Sequence, residues 1–410
     1  MRYYLIAGEP SGDMHAANLM RSLKVQDSQA DFRYYGGDKM QAEGGTLVRH
    51  YRDTAVMGFI NVLTHLPAIL RNIKHCKADI AAYKPDVVIL VDYPGFNLKI
   101  AKFVKTQLGL PVYYYIPPKI WAWKEGRIKQ IKKYINRIYA IFPFEVDFYA
   151  KHGVEALYVG NPSVQTVING QKNLPTRAQF LAQNNLPNKP IIALLAGSRK
   201  QEVVDSLKVF SALRPQDFEG YQLVLGATSA VSAQLYQQLP SFITPVYDQT
   251  YALLQHATAG AINSGTATLE TALFRLPQVV CYGITCSRIA MPFLRMLVKL
   301  PLVSLVNIIA QKEVVKELLG HYFNAASVTA ELQRLVSDQA YRQRIIADYD
   351  AMADSLGTAV ASDTTAQDIV QSQCEVSAEA SSLDYAEPMP DFMSEANKSL
   401  KSKVSAGCRE

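Results

Sequence analysis

KPDVVILVDYPGFN, residues 84–97, holds five consecutive apolar residues (Val87–Val91), closed by an aspartate and a Pro-Gly turn. A run that is apolar at every position, not at alternate ones, suits a strand covered on both faces. Such strands belong to parallel sheets flanked by helices. Outward from this run the pattern repeats. RYYLIAG (2–8), VYYYI (112–116), RIYAIF (137–142) and ALYVG (156–160) read as further strands. Between them, MHAANLMRSLK and HLPAILRNIKHCKADIAAY carry helical periodicity.

The pattern restarts after a polar connector, NLPTRAQFLAQNNLPNKP (173–190), with IIALLAGSR, YQLVLGA (221–227), TPVYD (244–248), AGAINS (259–264) and PQVVCYG (277–283). The expected fold class is therefore α/β: two Rossmann-like domains whose parallel sheets face a central cleft, a GT-B-like architecture. The boundaries read as residues 1–165, residues 166–345, a C-terminal helix over 346–371 packing back on the body, and a disordered tail from Ser372 to residue 410. That tail is rich in Ser, Ala and Glu and lacks apolar periodicity. Fold class alone leaves function open.

With 410 residues, 49% of them hydrophobic, the chain can fill two cores. A net charge of +6 suits an anionic ligand or an acidic membrane surface but falls short of a nucleic-acid footprint. The five cysteines (Cys76, Cys281, Cys286, Cys374, Cys408) are scattered and read as free thiols in a reducing cytosol. No signal-peptide pattern opens the chain. The longest apolar stretch, 289–310, contains Arg295 and Lys299, charges too costly at bilayer depth for a span. The expectation is a cytoplasmic protein, soluble or peripheral.

Chemistry concentrates where strands end. GEPSGD (8–13) follows the first strand and opens a helix. Gly8 and Gly12 permit tight turns, and Ser11 or Asp13 can cap the helix. A capped turn explains those residues without any ligand, but it explains Glu9 less well. Asp92 ends the apolar run, and two acids at strand mouths in one domain point to a general base. In the second domain Gly197, Ser198 and Arg199 again follow a strand directly, and Arg199 offers a permanently charged fork to phosphate. Ser264, Gly265 and Thr266 start another helix, where free amides at the positive dipole end suit a pyrophosphate. Glu270, one turn inside, is placed for ribose hydroxyls. Each turn alone is a weak signal; together they point to a nucleotide-diphosphate leaving group. No GxGxxG or P-loop occurs, and no DxD pair offers an evident metal site, so neither metal nor cofactor is expected. Both tryptophans, Trp121 and Trp123, precede a basic segment, Arg127–Arg137, which reads either as an ordinary solvated helix face or as a rest on anionic lipid.

These residues resemble the lipid-A-disaccharide synthase family (glycosyltransferase family 19). The matching segments are AGEPSGD (7–13), AVMGFINVL (55–63), VDYPGFN (91–97), IWAW (120–123), FPFE (142–145), GNP (160–162), AGSRKQEV (196–203), SGTATLE (264–270) and VNIIAQKEVVKELL (306–319). They run in order from residue 3 to about 370. The resemblance implies transfer of a 2,3-diacylglucosamine unit from UDP-2,3-diacylglucosamine to 2,3-diacylglucosamine 1-phosphate (lipid X), with inversion at the anomeric carbon. It also implies peripheral association with the cytoplasmic face of a Gram-negative inner membrane; homodimerisation is left open. By position it puts the base on Asp92, a second acid on Glu9, the phosphate-binding arginine on Arg199 and a late asparagine on Asn307. Three positions depart from the family pattern. Lys119 stands where a small apolar residue is usual, Asn161 where His is frequent, and Ala196 where Pro is usual. A UDP-sugar epimerase, a transferase with another lipid acceptor, and a non-catalytic UDP-sugar-binding protein are the alternative functions.

Overall fold

A computed structural model of the chain describes residues 1–54, 66–121, 125–283 and 302–384. The segment AVMGFINVL, Trp123, Cys286, the greater part of the 289–310 stretch, and residues 385–410 lie outside the described residues.

The first sheet has seven parallel strands: β1 (Arg2–Ala7), β2 (Asp31–Gly36), β3 (Thr46–His50), β4 (Val87–Val91), β5 (Val112–Tyr115), β6 (Arg137–Ala140) and β7 (Leu157–Tyr158). Their spatial order is β3-β2-β1-β4-β5-β6-β7. The second sheet has six: β8 (Ile191–Leu195), β9 (Gln222–Ala227), β10 (Ile243–Tyr247), β11 (Ala257–Asn263), β12 (Gln278–Tyr282) and β13 (Glu317–Leu319), ordered β10-β9-β8-β11-β12-β13. Two parallel sheets confirm the expected fold class.

Continuous apolarity has the expected cause. All five residues of β4 and all five of β8 are buried. Along β1, Tyr3, Leu5 and Ala7 enter a core with the helix Pro10–Gln26, while Tyr4 and Ile6 enter another with the helix Leu66–Tyr83. The strands β2, β3 and β13 were not anticipated; β3 and β13 are sheet edges, and β2 lies between β3 and β1. β3 and β13 are short and carry polar residues (TLVRH, ELL), and β2 (DFRYYG) interrupts its buried Phe32, Tyr34 and Tyr35 with Asp31 and Arg33, so none of the three reads as a continuous apolar run.

Both sheets reverse direction once. Connections leave one way from β1 and the other way from β4; the same happens between β8 and β11. Crevices at such switch points are where open α/β sheets hold ligands.

The two units meet through the turn after β6. Phe142 and Val164 belong to the second domain's core, with Trp121 and Phe144 packed against it. Near the C-terminus the helix Gln339–Leu356 serves the second domain, through Tyr349 and Met352. Gly357, at φ 59°, ends it, and the helix Ala361–Asp384 returns to the first domain, burying Ala366 and Ile369 there. This corrects the expected tail: order does not stop at Ser372. The Ser372 hydroxyl lies 3.0 Å from the Tyr113 hydroxyl, and Gln373 donates to that hydroxyl at 2.6 Å. Polar residues that looked unable to pack are satisfied by a tyrosine invisible to local pattern.

Candidate active site

Glu9 leaves β1 and Asp92 leaves β4, and these strands are neighbours, paired from Tyr3↔Val87 to Ala7↔Val91. Adjacency at the first switch point puts the two acids side by side, close enough for each carboxyl group to feel the other. Partial burial first, and then the Glu9 charge, push the Asp92 carboxyl up to about 6; Lys119 and the Tyr93 amide oppose the rise. Ser11 donates to Glu9 at 3.2 Å.

The turn that presents Asp92 is strained. Asp92 (φ 44°) and Tyr93 (φ 48°) are both left-handed, a conformation unfavourable without glycine. It is held by two bonds to the Asp92 carbonyl, from Asn97 Nδ2 at 2.7 Å and the Tyr114 hydroxyl at 2.6 Å. Gly8 is needed here for space: a Cβ would lie 2.3 Å from the Tyr93 ring. Asn97 sits in the quoted motif, five residues after Asp92. Tyr114 carries no local signal, because its role depends on β5 lying beside β4.

Gly12 faces the Ala7 side chain, and Asp13 turns away from the crevice. Asp13 is 2% exposed and accepts from the Gly37, Lys39 and Met40 amides at 2.7, 3.0 and 3.2 Å. It caps the helix Asp38–Ala42, so the substrate role expected of it is corrected to a structural one.

At the second switch point β8 delivers Gly197, Ser198 and Arg199 beside the loop Ser264–Thr266 that follows β11. The loops touch: at Gly197 (φ 104°) a Cβ would sit 2.7 Å from Asn263 Nδ2. Glu202 accepts from the Ser198 and Arg199 amides, each at 3.2 Å, and fixes the turn. The Arg199 side chain is 85% exposed, with one long contact of 3.3 Å to Glu202, so its guanidinium is free to reach a ligand. Ser264 donates its amide to Cys281, while Gly265 and Thr266 are exposed at the start of the helix Thr266–Leu273. Glu270 is partly buried, which raises its carboxyl, and accepts from the Tyr251 hydroxyl at 3.1 Å. A cavity of about 810 Å³ opens beside Tyr251, lined also by Thr228, Asp248 and Gln249.

Asn307 stands apart. Fully buried, it donates to the Val315 carbonyl and to Glu317, and accepts from the Val314 and Val315 amides. Every hydrogen-bonding position of its amide is used, which corrects the expected ligand role. Asn161 is spent similarly, donating to the Ile141 carbonyl and capping the helix Pro162–Gln171 through Ser163.

The basic segment is a single 3-10 turn (Glu125–Arg127) followed by the helix Ile128–Tyr134, shorter than expected because Ile135 is extended and Arg137 starts β6. Ile131 is buried, and Lys129, Lys132 and Lys133 are exposed. Among the described residues no helix is long and apolar enough to cross a membrane.

A family model described as lipid-A-disaccharide synthetase matches residues 3–369. The lipid-A-disaccharide synthase of Acidobacterium capsulatum is 36% identical over 363 residues, 84% of this chain and 88% of that protein. The one from Myxococcus xanthus is 35% identical, covering 90% and 97%. Among solved structures, UDP-GlcNAc 2-epimerase from Neisseria meningitidis bound to UDP-GlcNAc superposes with a TM-score of 0.61 at 12% identity, covering 90% of this chain and all of that one. The glycotransferase of kitacinnamycin gives 0.59 at 13%, covering 91% and 98%. At such identities these two speak for the fold only.

Proposed function

The chain belongs to the lipid-A-disaccharide synthase family, glycosyltransferases of lipid A biosynthesis, and from that premise we propose that it transfers 2,3-diacylglucosamine from UDP to the 6-hydroxyl of lipid X. Asp92 takes the hydroxyl proton. The freed oxygen attacks the anomeric carbon of the donor from the face opposite UDP, and the bond from that carbon to the diphosphate oxygen breaks. The electron pair leaves with UDP, the configuration inverts, and the proton stays on Asp92. Arg199 and the amides at the start of the helix Thr266–Leu273 stabilise the charge growing on the diphosphate, as oriented donors do when charge develops. Glu270 and the cavity beside Tyr251 suit the ribose and base.

The observation that carries this reading is the pair at the first switch point. A carboxyl raised to about 6 beside a second acid is poised to accept a proton near neutral pH. Because the acceptor is a diacylated lipid, we place the enzyme on the cytoplasmic face of the inner membrane, with Lys129, Lys132 and Lys133 towards anionic headgroups. UDP release should require lipid X and yield the β-1,6-linked disaccharide. Conversion of a UDP-sugar without any acceptor would instead reveal an epimerase.

A further inference from the structure

Two helices face each other across the seam between the domains with polar stripes that do not pack. The helix Pro10–Gln26, from the first domain, presents His15, Asn18 and Ser22 along one stripe. The helix Pro162–Gln171, whose Val164 lies in the second domain's core, presents Gln165, Thr166 and Asn169 on similar spacing. Helices meant to dock would meet through apolar residues at such positions. Here a cavity of about 370 Å³ separates them, bounded also by Tyr115 and by the crossover Val360–Asp363.

The groove offers hydrogen bonds but no free charge. Arg21, which also lines it, pairs with Glu43, and Asp363 accepts from Ser22 at 2.6 Å. His15 has no hydrogen-bond partner among the described residues. Burial pushes its ring down to about 4 against the Glu9 charge, so it is neutral and can donate at one nitrogen and accept at the other. Asn18 Oδ1 accepts from Arg21 at 3.4 Å, and Asn169 Oδ1 accepts from Lys172 at 2.9 Å and from Gln165 at 3.4 Å. Both Nδ2 groups and Gln165 Oε1 remain open among the described residues. Neutral donors and acceptors around a space of this size suit the hydroxyl and amide groups of a sugar, whereas a guanidinium such as Arg199 suits a diphosphate. The place fits as well. Tyr115 ends β5 opposite Val91, the residue before Asp92. His15 lies about 9 Å along the helix from Glu9, with its side chain leaning back that way.

We propose that this groove seats the acceptor's sugar: His15 and Asn18 from one domain, and Gln165, Thr166 and Asn169 from the other, bind its hydroxyl and amide groups, with the attacking hydroxyl directed to Asp92. This deepens the transferase reading and rests on lipid X being the acceptor. Both walls contribute, so a lesion on either should weaken the same substrate.

The test measures KM for each substrate in His15→Ala and in Gln165→Ala/Asn169→Ala, with melting curves alongside. Each variant should raise KM for lipid X by roughly fivefold to tenfold, the loss expected for one hydrogen bond, and leave KM for the donor within about twofold, since the donor is held elsewhere. Should His15→Ala fail to fold, the second variant, on a more exposed helix face, still decides. In the wild type, the His15 ring resonance, assigned by its disappearance in His15→Ala, should shift when lipid X in detergent micelles is added and stay in place with UDP alone. An unmoved KM for lipid X in the folded variants overturns the proposal. So does an equal rise for both substrates, which would mean that the groove governs how the domains approach and not the acceptor. Either failure leaves the wild type dependent on lipid X; UDP-sugar turnover by the wild type without lipid X would instead remove the transferase reading and the groove's role together.

Discussion

At the scale of single residues, the Asp92–Glu9 pair sets opposite demands on activity and stability. The Asp92 carboxyl is raised in the folded chain to about 6 from an ordinary 3.8. Between those values the folded state holds a proton that the unfolded chain has lost, so stability falls as pH rises through this window. Above about pH 6 the cost is fully present. Asp92→Asn should therefore melt at a slightly higher temperature at pH 7.5, by roughly 2–4 °C for about 1 kcal/mol, while losing on the order of a hundredfold in kcat. Calorimetry beside steady-state kinetics checks both, and unchanged turnover would pass the role to Glu9. For the wild type, kcat/KM should fall as pH drops below about 6, because the base is then protonated. Arg199 obeys a different logic. Being 85% exposed it contributes little to the fold, so Arg199→Ala should fold normally. It should depress kcat/KM more than it weakens binding of the intact donor, since the charge it meets appears only as the bond breaks. The reaction should also tolerate EDTA; inhibition reversed by Mg²⁺ would show that a metal shares this task.

At the scale of elements, the segment from the helix Leu305–Ala310 to β13 depends on one asparagine. Asn307 ties the Val314 and Val315 amides to Glu317, which in turn accepts from the Val303 and Ser304 amides. Asn307→Ala leaves several of these groups buried and unpaired, at about 1–3 kcal/mol each when unsatisfied. We expect a marked loss of Tm, with donor affinity retained by whatever fraction stays folded. Weakened UDP binding at unchanged Tm would restore the ligand role. The short basic helix Ile128–Tyr134 carries its test on its outer face. Lys132 and Lys133 are exposed, and reversing both to Glu should weaken co-sedimentation with anionic vesicles, at about 1 kcal/mol per cation, and more so at low salt. Turnover on detergent-dispersed substrate should survive. Arg295 and Lys299, the charges within the apolar stretch 289–310, lie outside the described residues.

For the whole molecule, the C-terminal helix closes the first domain. Ile369 is fully buried in that domain's core, Asp368 pairs with Arg137 at 2.9 Å and accepts from Tyr139 at 2.8 Å, and Asp363 accepts from Ser22 at 2.6 Å. Ile369→Asp, a charge placed in that core, should cost several kcal/mol and unfold the first domain in a denaturant titration before it affects the second. A chain that crosses back in this way also ties the second domain to the first.

What the sequence determined by itself were properties that depend on near neighbours. Continuous apolar runs specified buried parallel strands, and Gly-Ser-Arg and Ser-Gly-Thr turns specified where helices begin. Even the placement of Glu9 and Asp92 at strand ends was readable, because a strand's exit is a local event. Tertiary structure decided which strand lies beside which. The order that sets β1 against β4 and β8 against β11 turned four separate turns into two crevices. It also decided which polar groups were already taken. Asp13 and Asn307 look like ligand residues in their motifs, yet their partners come from β2's exit and from residues seven to ten positions onward. Hydrogen-bond saturation is a property of the folded neighbourhood, and no window of sequence contains it.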